Sequence, residues 1–194
     1  SFVTDRSAKA SEVFVYRCTE PESGQGALPF VRTLAVEEDH SAGPWSDFLG
    51  TDRSVRVDRQ VWFDSEPPAL SSVFFQPVHG APLLKRSAAD VGHMSIHRML
   101  IEQFGLPTMR MAHTIACAPL PLTVCAELEL LPHTIGTIWD IRDHTLADAP
   151  LVFQRYHLPP GHRPIELHER VGPILASQAG GRGQTSHNQR DEEP

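Results

Sequence analysis

No run of lysine or arginine occurs in this 194-residue chain, and 24 acidic residues outnumber 17 basic ones for a formal net charge of −7. Phosphate neutralisation supplies most of the affinity for nucleic acid, so this segment is not expected to hold DNA or RNA by itself. Cysteine is scarce. Cys18, Cys117 and Cys125 are odd in number and lack a CxxC spacing, which excludes a disulfide framework and a zinc site on sequence grounds. They read as small buried thiols in a reducing compartment. No apolar run approaches the roughly 20 residues that span a bilayer. The expectation is a soluble, cytoplasmic protein with no membrane partner.

Motifs of strong chemistry are missing too. There is no GxSxG elbow, P-loop, GxGxxG or HExxH, so no catalytic or nucleotide-binding signature stands out. His93 and His97 lie four apart, but no glutamate completes the pattern and Gly92 precedes them, so neither a metal nor a cofactor is expected. Glu127 and Glu129 are two apart and face differently on a helix, which does not support a paired-carboxylate acid/base site. An initiating methionine and a secretory leader are both absent from the opening "SFVTDRSAKASEVFVYR".

What is present is ordinary globular composition, 40% hydrophobic and 21% charged, in a length that suits one domain. Residues 1–10 read as a linker, Val13–Tyr16 and Phe30–Val36 as short strands, and Glu20–Ala27 and Asp39–Asp52 as loops. "VRVDRQVWFD", the turn "SEPP" and "ALSSVFFQPV" form a predicted β-hairpin. "MSIHRMLIEQFG" places Ile96, Met99, Leu100 and Phe104 at helical spacing, with Gly105 positioned to stop the helix. Thr108–Cys117 reads as a strand. Leu122–Leu131 fits helix or strand by period, and its Ala, Leu and Glu favour helix. Gly136–Thr145 and Leu151–Pro159 make a second hairpin around Ala147–Pro150. From Ser177 on, the polar, Gly-rich chain reads as a disordered tail. The fold class is α+β, an antiparallel β-sheet with flanking helices.

Alternation along these strands puts polar groups among apolar ones. Arg59 sits among Val55, Val57, Val61 and Phe63. His113 sits among Met109, Met111, Ile115 and Cys117. Arg155 and His157 share a face with Leu151 and Phe153. A buried guanidinium needs a partner. That partner is either an internal carboxylate or, since acids are scarce on these faces, an external phosphate or carboxylate. For His113 the alternatives are a satisfied core histidine and a ligand contact. Ser95 is either a plain N-cap or part of an anion site at a helix N-terminus.

The order of elements resembles the UTRA domain, the effector-binding module of HutC-type regulators in the GntR class, whose fold is chorismate lyase-like. The similar stretches are "VRVDRQVWFDSEPPALSSVFFQP", "SIHRMLIEQFG", "HTIACAPL" and "ELELLPHTIGTIWDIRDHTLADAPLVFQRYHLPPGHR", together covering about Val55 to Arg163. "SFVTD" is similar to the last strand of the winged helix that precedes such domains. The resemblance therefore implies a wing end and linker over 1–10, an effector-binding domain over 11–172 and a tail over 173–194. It also implies a homodimer that reaches DNA only through a winged helix outside this chain. The ligand set it suggests, joined to the face argument, is Arg59, Ser71, Ser95, His97, His113, Arg155, Tyr156 and His157, around a small anionic effector such as a sugar phosphate or carboxylate. His97 stands where the family often has tyrosine. The alternative is a small enzyme of the lyase fold, but Arg155 stands where chorismate cleavage needs a glutamate. A stand-alone binding module is the third reading.

Overall fold

A computed structural model of the protein describes residues 16–19, 26–27, 29–63, 67–92, 94–162 and 165–167. The expected linker over 1–10 and tail over 173–194 lie outside these residues. In chain order the elements are β1 (Tyr16–Thr19), β2 (Gly26–Ala27), β3 (Pro29–Asp39), α1 (Pro44–Leu49), β4 (Ser54–Phe63), β5 (Ala69–Phe75), α2 (Pro77–Leu84), α3 (Ala88–Gly92), α4 (Ile96–Phe104), β6 (Arg110–Pro119), α5 (Leu122–Glu127), β7 (Ile135–His144), β8 (Pro150–Leu158) and β9 (Ile165–Leu167).

The two predicted hairpins are the centre of the molecule. β4–β5 and β7–β8 join through an antiparallel β5–β8 pairing, with β3 and β6 as outer strands, in the order β3-β4-β5-β8-β7-β6. All five ladders are antiparallel. A small β2-β1-β9 sheet stands apart in hydrogen bonding. The chain is thus α+β, with helices on both faces of one antiparallel sheet.

One face carries Val57, Val73, Phe75 and Val152 against Leu83 of α2, Val91 of α3 and Ile96, Met99 and Leu100 of α4. Helix α4 forms for the reasons its sequence announces. Ser95 Oγ accepts from the Arg98 amide at 3.3 Å, the apolar stripe turns inward, and Gly105 closes the helix at φ 64°. Arg98 and Glu102 pair on the exposed side. The opposite face packs Phe74 and Phe153 on Leu49 and Trp45 of α1, and Leu70 and Ile138 on Val124 and Cys125 of α5.

Sequence reading missed α1, α2 and α3. The loop expected over Asp39–Asp52 contains α1, because Pro44 and Gly50 flank the helix rather than break it. Proline needs no N–H at a first helical position, and Gly50 takes the left-handed cap at φ 67°. Likewise Pro77 opens α2, which also tolerates Pro82 inside it.

Candidate functional site

Adjacent strands stand about 4.8 Å apart, and Cα-paired residues point to the same face. Pairing runs Thr33↔Arg59, Arg59↔Ser71, Ser71↔Tyr156, Tyr156↔Trp139 and Trp139↔Ile115. These six residues form one row across the whole sheet, on the face that α2, α3 and α4 cover. Thr33, Arg59, Ser71 and Tyr156 are all buried. The apolar cluster of Val57, Val73 and Phe75 lies on one side of the row. Val61, Ala69 and Leu158 lie on the other.

The hydroxyls that flank Arg59 carry the site's strongest signal. Thr33 Oγ1 and Ser71 Oγ are buried and have no hydrogen-bond partner among the described residues. Leaving a buried hydroxyl unpaired costs roughly 1–3 kcal/mol, so native chains rarely do it twice beside a guanidinium. The C-terminal end of α3 lies over this end of the row: a Cβ built on Gly92 would stand 3.5 Å from Thr33 Oγ1. Sequence reasoning missed Thr33. Alternation along β4 marks Arg59, but nothing local to β3 marks its partner Thr33, because a bulge between Thr33 and Ala35 shifts the register there.

Ser95 and His97 enter from α4. Ser95 is the N-cap. The first-turn amides of Ile96 and His97 have no intrahelical acceptor, and Ile96 packs in the cluster next to the Arg59–Ser71 pair. His97 turns elsewhere: its Nε2 lies 3.1 Å from Asp143 Oδ2. Asp143 is fully buried, on the Trp139 face of β7, and its Oδ1 has no hydrogen-bond partner among the described residues. This acid was also missed, because "WDIRDH" alternates two aspartates onto opposite faces and only tertiary packing tells which one meets a histidine.

His113 stands on the exposed outer strand β6 and accepts a hydrogen bond from Trp139 Nε1 at 3.2 Å. Partial burial of the ring lowers its pKa, and the Asp143 charge opposes the shift. The Trp139 ring in turn lies 5.3 Å from Tyr156, centroid to centroid. His113, Trp139 and Tyr156 thus continue the polar row as an aromatic one.

Arg155 and His157 are elsewhere. Val152, Gln154, Tyr156 and Leu158 pair into the face that holds Arg59, so Phe153, Arg155 and His157 point to the opposite one. There Arg155 makes two 2.7 Å hydrogen bonds to Asp140 and lies 5.4 Å above the Trp45 ring. The expectation that this arginine joins Arg59 on the core side is corrected. β8 is buried along both faces, so its hydrophobic pattern could not reveal which face belongs to the site. The supposed scarcity of acids also overlooked the cross-strand partner, since Asp140 belongs to β7. His157 pairs across the sheet with Leu70 and Ile138. Burial, then the nearby Arg155 charge, push its pKa down to about 4, against opposing pulls from Asp140 and Asp58. It is a neutral, buried imidazole at neutral pH.

No group of three or more His, Cys, Asp or Glu suited to a metal ion occurs among the described residues. No described helix is long and apolar enough to cross a membrane. An open hollow of about 520 Å³ lies between α2 and α4, beside Lys85, Arg86 and Phe104, away from the Arg59 row.

No protein-family model matches the sequence, and no curated protein does. Solved structures do match. The ligand-binding domain of a GntR-family transcriptional regulator from Bordetella bronchiseptica aligns with a TM-score of 0.64 at 14% identity, covering 80% of this chain and 96% of that one. A GntR-family transcriptional regulator structure from Enterococcus faecalis aligns with a TM-score of 0.59 at 12% identity, over 72% of this chain and 99% of that one. PhnF from Mycobacterium smegmatis aligns with a TM-score of 0.58 at 14% identity, over 71% of this chain, which spans 60% of the PhnF chain. Identities this low speak for architecture. By the path of its six-stranded sheet and the helices on either side, the chain has the fold of the ligand-binding domains of GntR-family transcription regulators.

Proposed function

We propose that this chain is the effector-binding domain of a transcription regulator of the HutC/GntR type, a UTRA-like module over residues 11–172. It senses a small cytoplasmic metabolite that carries a phosphate or carboxylate. In the whole protein it works as a homodimer and reaches DNA through a winged helix outside this chain. One observation carries the ligand reading: a buried guanidinium, Arg59, set between two buried hydroxyls, Thr33 and Ser71, that lack hydrogen-bond partners among the described residues. A guanidinium and two hydroxyl donors in one row match the acceptors of an oxyanion, and the first-turn amides of α4 add donors from above. Tyr156 and Trp139 supply an apolar floor for the rest of the molecule. An anion that binds one arrangement of the α3–α4 cover more tightly than another shifts the population between them.

Thermal unfolding with inorganic phosphate, glucose 6-phosphate, citrate and glutamate tests this. A ligand at a hundred times its Kd stabilises by about 2.7 kcal/mol, which for a chain of this size raises Tm by roughly 5–10 °C. The shift is expected to vanish in Arg59→Gln and to shrink in Thr33→Val and Ser71→Ala, with far-UV circular dichroism confirming that each variant folds. No shift with any of the anions, or one that survives Arg59→Gln, overturns the reading. Chorismate cleavage is not expected, because Arg155 stands in place of the required carboxylate and is held by Asp140.

A further inference from the structure

Helix α2 reverses the usual arrangement of a surface helix. Its sequence, PVHGAPLL, holds no charged residue, and His79 alone has a polar side chain. A surface helix ordinarily turns apolar groups to the core and polar groups to water. In α2, Gly80 and Leu83 are buried, and the His79 ring goes inward with them, 5.1 Å from the Phe104 ring. Its Nδ1 is buried and has no hydrogen-bond partner among the described residues. Val78 is instead 63% exposed, and Ala81 is exposed one turn on. Packing fixes this orientation, because a Cβ added at Gly80 would collide with the Val55 side chain of β4. An apolar face is thus held toward water, which is informative where apolar surface is grouped rather than scattered.

That face lines the hollow of about 520 Å³ between α2 and α4. Val78, Ala81, Pro82 and Lys85 stand at i, i+3, i+4 and i+7, a single stripe along α2, and Phe104 lines the hollow from α4. The volume lies within the roughly 300–1,000 Å³ of small-molecule sites. At the C-terminal end of the stripe two adjacent cations, Lys85 and Arg86, also line the hollow. Both are exposed, and neither forms an ion pair with another described residue. The acids on neighbouring elements are engaged: Glu102 pairs with Arg98, and Asp90 accepts from Ser87 Oγ. Burial holds the His79 pKa below the ordinary histidine value, so Lys85 and Arg86 supply the charge. In a chain of net charge −7 the hollow is a locally positive, apolar-walled place.

We infer that this hollow is a second binding site, separate from the Arg59 row, for an amphipathic carboxylate. The apolar body of such an acid lies along the α2 stripe against Phe104, and its carboxylate meets Lys85 and Arg86. Each half of the ligand answers one half of the hollow. A polar diacid would leave the Val78 stripe in water, and a neutral chain would leave the two cations without an anion. The stripe from Val78 to Lys85 is about 10 Å long at about 1.5 Å of rise per residue, a length that an extended octanoate covers. The inference goes beyond the effector reading and stands whether or not Arg59 takes an oxyanion.

Octanoate titrated into isotope-labelled protein, followed by amide NMR correlation spectra, tests this. Saturable shifts are expected at Val78, Ala81, Lys85, Arg86 and Gln103, and none at Thr33, Arg59 or Ser71. Octanol and succinate each lack one half of the chemistry and are expected to bind at least about tenfold more weakly. Joint replacement Lys85→Gln and Arg86→Gln is expected to weaken octanoate about tenfold, the scale set by two exposed charge contacts. Ala81→Trp fills the hollow from an exposed position and is expected to abolish binding, with unchanged spectra elsewhere showing that the variants fold. No saturable shift at these amides overturns the inference. So do shifts centred on the Arg59 row, octanol or succinate binding as tightly as octanoate, or octanoate binding that survives Ala81→Trp. Shifts of the same amides on diluting the protein alone also overturn it, since another copy of the chain is then the occupant.

Discussion

Replacing Asp140 by asparagine removes the counter-ion of Arg155 and leaves almost the same shape. The two side chains are 19% and 15% exposed and joined by two 2.7 Å hydrogen bonds, with the guanidinium over the Trp45 ring at 5.4 Å. Breaking a fully buried pair costs roughly 3–5 kcal/mol because a charge is left uncompensated. An exposed pair is worth about 0–1 kcal/mol. This pair is closer to the buried limit, but asparagine keeps one acceptor, so the expected loss is about 2 kcal/mol. For a chain of this size that lowers Tm by about 4–8 °C. Urea unfolding followed by tryptophan fluorescence measures it, with an unchanged slope showing that the unfolded state is not altered. Adding Arg155→Met to Asp140→Asn removes the stranded charge and is expected to restore part of the loss, through a coupling of about 1–2 kcal/mol. A loss under about 0.5 kcal/mol for Asp140→Asn refutes the reasoning. Arg155 is then not held by Asp140, and its placement outside the candidate ligand row loses its energetic basis.

Two further outcomes follow from the same geometry. His157 has a folded pKa of about 4 against 6.5 when exposed, so the unfolded chain binds the extra proton between those values. Its contribution to stability is therefore complete above about pH 6.5 and is lost as pH falls toward 4, by at most about 3 kcal/mol. Urea midpoints from pH 7 to 4 for wild type and His157→Gln check this, and equal acid slopes in the two proteins contradict it. At Gly136 an added Cβ would stand 2.5 Å from the Leu158 carbonyl oxygen and 2.8 Å from the Leu120 side chain. Gly136→Ala is expected to cost at least about 1–3 kcal/mol, whereas a neutral urea midpoint would mean that β7 and β8 separate more easily than their pairing implies.

The elements most legible in the sequence were those whose information is local. α4 carries its cap, its apolar stripe and its stop within eleven residues, and it formed where the pattern put it. Both hairpins announced themselves by alternation broken at turn residues. α1 and α2 were illegible for an equally local reason: proline and glycine mark helix ends as readily as loops, and a six-residue helix is too short to display a period.

The candidate site was legible by halves. Arg59 could be placed among valines because β4 has one apolar face and one polar face, so a misfit stands out. Arg155 could not be placed, because β8 is buried on both faces and either parity looks like core. Strand alternation is a property of one chain segment, and it determined the antiparallel α+β class and the inward turn of Arg59, as helical spacing determined the main helix. Which strands lie side by side is decided only when the sheet closes, because pairing brings together residues far apart in sequence. That step set Thr33 and Ser71 beside Arg59, gave Arg155 to Asp140 and His97 to Asp143, and left β6 on the outside.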